Sequence, residues 1–141
     1  MKDLEMYNLP PEVIHQAWPK LEPFIKELDP HANGEITVEQ TKMALIQGSC
    51  DVLAWADTDS TIHNIVIGEW KMMPQKRIFF ITGWSGSNAI DATRNDIFEE
   101  WVKNNGGTSI QCAVRDSMGR MLNQRFGYSK AYSIYEKGLK T

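Results

Sequence analysis

The chain has 141 residues, 15 basic and 18 acidic side chains, a formal charge of −3 and 42% hydrophobic residues. That is the size and composition of one globular domain with a single core, and it argues against general disorder. The mixed charge gives no basic stripe for nucleic acid, no apolar run reaches the roughly 20 residues that cross a bilayer, and the acidic start MKDLEMYNLPPEV has no export-signal core.

Pro10-Pro11 suits the first turn of a helix, whose amides have no partner. Val13, Ile14, Ala17, Trp18, Leu21, Phe24, Ile25 and Leu28 follow at helical spacing, and Pro19 and Pro23 predict a bent or two-part helix. Residues 29–35, with Pro30, Asn33 and Gly34, read as a loop. Thr37 and Gln40 fit a capping box, opening a helix that runs to about Gln47 and stops at Gly48.

A strand-rich stretch follows. Residues 52–56 are short and apolar, and 61–72 alternate through Ile62, Ile65, Val66 and Ile67. Residues 77–82 are apolar on both faces and so central. The turns at 57–60 and 73–75 make this an antiparallel meander. A helix is then predicted from about Ser87 or Asn88, burying Ile90, Ile97, Phe98, Trp101 and Val102 and ending at Gly106-Gly107. Residues 109–114 read as a strand. Asp116 or Ser117 caps a helix carrying Met118, Met121, Leu122 and Phe126, stopped at Gly127, and residues 130–135 read as a last strand.

The fold class is α/β in the α+β sense: one mixed, mostly antiparallel sheet flanked by helices. The domain is 1–141, with a helical part over 1–48 and the sheet and core helices over 51–139. Cys50 and Cys112 are too far apart for a short redox or zinc motif and read as two buried thiols. Five tryptophans suit either a core or an interface, and composition does not choose. Lys76-Arg77 and Arg120 with Arg125 are local concentrations of positive charge, read as solvated surface.

From residue 52 to 139 the chain resembles the GNAT superfamily of N-acetyltransferase-like proteins. The meander, the helix ending in Gly-Gly, the strand at 110–114 and Arg125-Phe126-Gly127-Tyr128 carry the likeness. Over its whole length it is similar to short GNAT-like proteins of tailed bacteriophages, through Trp18-Pro19, Gly34-Glu35, Trp55, Pro74-x-Lys76-Arg77, Gly119-Arg120 and Gly127-Tyr128. The resemblance implies a gap between the strands at 77–82 and 110–114 that takes the pantetheine arm of acetyl-CoA. It also implies a Gln/Arg-x-x-Gly-x-Gly/Ala loop for the pyrophosphate at the helix start, where small residues and free amides suit phosphate.

Here the loop is Gly83-Trp84-Ser85-Gly86-Ser87-Asn88-Ala89. Gly86 fits, Gly83 stands for Gln/Arg and Asn88 for the second small residue, so Thr82, Gly83, Gly86, Ser87 and Asn88 would be the cofactor-binding residues if acetyl-CoA binds. The tyrosine that protonates the leaving thiolate in many members has Asn123 in its place, and an amide is a poor acid. Tyr128, Tyr132 and Tyr135 read as packing or surface. Glu69 is the candidate base, and His63 an alternative more often structural. His15, His31 and His63 share no ligand spacing with the cysteines or acidic residues, so no metal is expected.

The expectation from sequence is therefore a degenerate, non-catalytic GNAT-like phage protein that works through protein–protein contacts in the virion or its assembly, with no cofactor. Its partners would be other phage structural proteins or a host protein, with a homo-oligomer possible and no nucleic acid or membrane. It would reside in the virion or the host cytoplasm. An acetyl-CoA-dependent N-acetyltransferase is the alternative, and a counter-defence protein occupying a host enzyme a third. Trp84 is expected to be exposed beside the vestigial loop, as an interface residue.

Overall fold

The computed structural model describes residues 4–31, 34–86 and 91–140. Among them five strands form one sheet in the spatial order β1-β2-β3-β4-β5. These are β1 (Glu5–Leu9), β2 (Asp51–Ala56), β3 (Ile62–Met72), β4 (Arg77–Gly86) and β5 (Ser109–Cys112). The first three pairings are antiparallel and β4–β5 is parallel. The helices are α1 (Ile14–Leu28), α2 (Val38–Gln47), α3 (Ala92–Asn104) and α4 (Asp116–Phe126). This is the mixed, mostly antiparallel sheet with flanking helices that the sequence predicts.

Two apolar layers hold it together. On one face α1 and α2 bring Ile14, Trp18, Leu21, Ile25 and Leu45 onto Val52, Ala54, Ile65 and Ile67. On the other, Phe98 and Val102 of α3 pack on Leu53, Val66, Phe79 and Ile81. Strands with both faces covered are apolar at nearly every position, as the run in β2 shows, and the middle of β3, expected to alternate, is instead buried at every residue from 64 to 68. Each large side chain so buried contributes about 1.5–3 kcal/mol. Four of the five tryptophans belong to or pack against these layers, and the fifth, Trp55, is buried on β2. Trp18 is buried, and Trp70, Trp84 and Trp101 pack against the α3 cluster.

Several expectations need correction. α1 is one helix, not two parts, with both prolines inside it. Pro19 and Pro23 lie on its solvent face, where water can satisfy the carbonyls their missing amides leave free. Residues 5–9 form an edge strand on β2. α3 begins at Ala92, where Asp91 accepts a hydrogen bond from the Arg94 amide at 2.8 Å, and residues 87–90, where the start was expected, lie outside the described residues. Ile97 is exposed rather than buried, and Asn95 takes an inward position instead. β5 stops at Cys112, two residues short of the expected end. α4 is preceded by Arg115, which makes no side-chain cap. Residues 130–135 form no strand; Tyr132 and Ile134 are exposed and Tyr135 is 94% exposed. Both cysteines are free and half-buried.

Other expectations hold closely. Thr37 Oγ1 accepts from the Gln40 amide at 3.1 Å while the Gln40 side chain accepts from the Thr37 amide at 2.9 Å, a complete capping box. Gly48 closes α2 in the left-handed region at φ 76°, and Gly127 closes α4 likewise at φ 77°.

Candidate functional site

The sheet opens at one place. β4 pairs with β5 from Ile78↔Ser109 to Ile81↔Cys112, and beyond that Thr82–Gly86 keeps only its β3 neighbour. Among the described residues no strand covers the β5-facing edge of 82–86.

A bulge sits at the point of parting. On β3, Ile67 faces Gly83 and Gly68 faces Ile81, so Thr82 is the extra residue. Its hydroxyl donates to the Ile67 carbonyl at 3.3 Å. The extra residue changes which way the strand faces. Residues two apart share a face in a regular strand, yet Ile81 points into the α3 layer while a Cβ on Gly83 would lie 2.5 Å from Leu28 of α1. Trp84 returns to the α3 side, with its ring 6.1 Å from Phe98. It is partly buried against the α3 layer and not exposed as expected. Ser85 is buried toward α1, its hydroxyl donating to Glu27 at 2.6 Å. Gly86 ends the strand at φ 147°, and a Cβ there would come within 2.5 Å of the His63 carbonyl and the Asn64 side chain. Only glycine fits both demands.

Thr82, Gly83 and Gly86, expected in a phosphate loop, are thus strand residues on the rim of the opening. Ser87 and Asn88 lie outside the described residues. At the start of α3 the Asp91 carboxylate already holds one of the amides that would otherwise favour an anion.

The side chains around the opening fall on two faces. On the α3 side, Asn95 is buried and donates to Glu99 at 2.6 Å, and its carbonyl oxygen has no partner among the described residues. The Tyr128 hydroxyl is also buried without a partner there. Burial raises its pKa well above the ordinary tyrosine range, with Cys112 and Glu99 adding to the effect, so it stays protonated. Burial likewise raises the Cys112 thiol, which makes it a poor nucleophile. Asn123 is exposed on α4, and its amide donates to the Tyr128 carbonyl at 2.6 Å, so it holds the turn after the helix. Tyr128 is partly buried after the Gly127 stop, in keeping with its reading as a packing residue. The polar residue that sequence reasoning did not single out is Asn95, one turn inside α3.

On the other face, Glu69 is half-buried on β3 opposite Phe80, in the same alternation as Ile65 and Ile67. Its charge helps raise the Cys50 thiol to about 11, after burial and Asp51. His63 sits beside Gly86 at the far end of the rim, but its side chain is turned to the β2–β3 turn. Its Nε2 is 2.9 Å from Asp57 Oδ2, and Asp57 Oδ1 accepts from the amides of Asp59 and Thr61 at 2.9 and 3.1 Å. That is a clamp on the β2–β3 turn. Among the described residues no three His, Cys, Asp or Glu side chains gather to hold a metal. Nor is any helix of the described residues long and apolar enough to cross a membrane.

A meander whose fourth strand bulges and parts from a parallel fifth, with a helix crossing between them, defines the GNAT acyl-CoA N-acyltransferase fold. The chain has that fold. It is similar to a ribosomal-protein-alanine N-acetyltransferase from Brucella melitensis biovar Abortus 2308, at 12% identity and a TM-score of 0.70 over 98% of this chain and 100% of that one. It is also similar to AAC(6')-Iy solved with the bisubstrate analogue CoA-S-monomethyl-acetylneamine, at 8% identity and a TM-score of 0.69 over 99% of each chain. An aminoglycoside acetyltransferase from an uncultured soil metagenomic sample, solved with sisomicin, matches at 11% identity and a TM-score of 0.68 over 97% of each. No family model and no curated protein sequence matches the chain.

Proposed function

We propose that the chain is an acyl-CoA-dependent N-acyltransferase. The observation that carries this reading is the bulge at Thr82 placed where β4 leaves β5. Bulges cost regular pairing and concentrate beside active sites, where they re-aim a side chain or end a ladder. Here the bulge frees an edge of strand beside buried polar groups without partners. A pantetheine arm is extended and carries amides, so the backbone edge of Thr82–Gly86 is the natural partner for it. Gly83 and Gly86 keep that stretch thin, and the Asn95 carbonyl offers an acceptor from the α3 side. Such a ligand supplies an acyl group on a thioester.

The chain's own residues would manage protons on either side. Glu69, on the α1–α2 face, is the group to take a proton from an incoming ammonium. Tyr128 keeps its proton on the opposite face beside Cys112, the last β5 residue paired with β4, and supplies a donor where Asn123 does not. Holding the two reactants in one opening accounts for much of the rate such enzymes need. Titration calorimetry with acetyl-CoA tests the reading. Saturable heat with a one-to-one endpoint supports it, and no heat at millimolar acetyl-CoA overturns it.

A second reading is the one the sequence favours, a fold kept without its reaction and used for protein contacts. Two observations support it: Asn123 stands in the tyrosine position and is spent on a turn, and Asp91 occupies an α3 amide. Its narrower form, a virion or assembly protein of a tailed phage or a binder of a host protein, rests on the sequence resemblance. Recovery of the chain from washed particles would support that form, and its absence from them would defeat it.

A further inference from the structure

Alternation along β3 sets Glu69 and Lys71 on the sheet face of Ile65 and Ile67. Strand pairing places Phe80 beside Glu69 and Ile78 beside Lys71. Next to the second row lies a cavity of about 630 Å³, bounded by Met73, Pro74, Ile78 and Tyr132. The charged residues that line it are Lys71 and Lys76, both positive.

Two opposite charges stand unpaired at its inner end. Glu69 and Lys71 are half-buried and about 7 Å apart along the strand. Among the described residues they form no ion pair, and Glu69 has no hydrogen-bond partner. Lys71 Nζ instead lies 3.8 Å from the centroid of the Phe80 ring, which holds the cation without a counter-charge. Half-buried charges kept apart in this way suit a ligand that carries both signs. The direction of the cavity fits as well. Phe80, beside Glu69, is one residue before Ile81, where the β4–β5 pairing ends, and the cavity begins one row further from that opening.

We propose that the acceptor is a free amino acid with an apolar side chain, its ammonium at Glu69, its carboxylate at Lys71 and its side chain in the cavity. The inference rests on the acyl-transfer reading. The amine nitrogen bonds to the thioester carbon and the carbon–sulfur bond breaks. The nitrogen loses two protons in all. One goes to Glu69 and then to water, and the second, through water, restores the proton that Tyr128 gives to the leaving thiolate. A polyamine is disfavoured, because its further ammonium groups would face Lys71 and Lys76.

Mass spectrometry of the N-acetylated product tests the inference, with the full chain, acetyl-CoA and either phenylalanine or phenylalaninamide. The amide keeps the ring and the amine and lacks the negative charge. Phenylalanine is expected to be acetylated roughly tenfold faster, and Lys71→Glu to reverse that order. Equal or slower acetylation of phenylalanine by the unaltered chain overturns the inference, as does faster acetylation of spermidine. An unchanged order in a Lys71→Glu chain that still takes up acetyl-CoA overturns it too. Calorimetry with acetyl-CoA separates it from the reading beneath it. Saturable heat without product from either acceptor overturns this inference alone, and no heat overturns both.

Discussion

The two sides of the sheet's opening are built differently. From β1 to β4 every strand has a neighbour, and helices cover both faces. Leu53, Val66 and Phe79 are fully buried, as are Ile14, Leu21 and Ile65. Beyond Cys112, Leu122 is the one buried apolar side chain among the described residues, while Val114, Met118, Tyr132, Ile134 and Leu139 are exposed. One half is made to be stable and the other to be approached.

Substitutions can break this contrast. Phe79 meets Trp70, Phe98 and Trp101 edge-on within 6 Å. Phe79→Ala should cost about 3–5 kcal/mol in denaturant unfolding, whereas Ile134→Ala should stay within about 0.5 kcal/mol. Equal losses would show that the tail is part of the core. Trp84→Ala comes next, at roughly 2–3 kcal/mol because the side chain is only partly buried. A neutral result would restore Trp84 as a surface residue.

The third effect is one of pH. The Cys50 thiol, raised from about 9 to about 11, keeps its proton in the folded state after the unfolded chain has lost it. Below pH 9 both states hold the proton and stability is unaffected. Between about pH 9 and 11 the folded state binds more protons, so stability falls as pH rises. Cys50→Ala should flatten that fall in chemical unfolding followed across the range, and an unchanged slope would assign it to other groups.

The smallest effect on stability is the most useful for function. Tyr128→Phe removes a buried hydroxyl that has no partner among the described residues, so it should leave stability within about 0.5 kcal/mol or raise it slightly. If Tyr128 donates the proton, acyl transfer should drop by roughly a hundredfold or more. Unchanged turnover in a stable variant would remove Tyr128 from the chemistry.

Much of the rigid half was legible because its signals are local. The Thr37–Gln40 box and Gly48 fix α2 within a dozen residues, and the apolar runs of β2 and β4 declare covered strands. β1 was not legible. Its five residues are polar or half-exposed, and only pairing with β2 makes them a strand. The bulge at Thr82 was hidden for a related reason, since it exists only in the register of β4 against β3. Residues 130–135 failed the other way. Tyr132, Ile134 and Tyr135 look like strand residues, but a strand needs a partner and the structure gives them none. At the site, Thr82, Gly83 and Gly86 were expected in a loop and lie in β4, while Trp84 was expected to be exposed and packs on Phe98. Which way a side chain faces after a bulge or a left-handed turn is decided by contacts distant in sequence.

The connectivity of the sheet carries a consequence for how the chain assembles. β2, β3 and β4 are joined by short turns and can zip together at little entropic cost, whereas β1 must find β2 across both α1 and α2, and β5 must find β4 across α3. The meander is thus expected to be the nucleus, with the two outer strands joining late. Pulse-labelled amide exchange during refolding should protect Val66 before Met6 or Ile110, and the reverse order would move the nucleus to an edge.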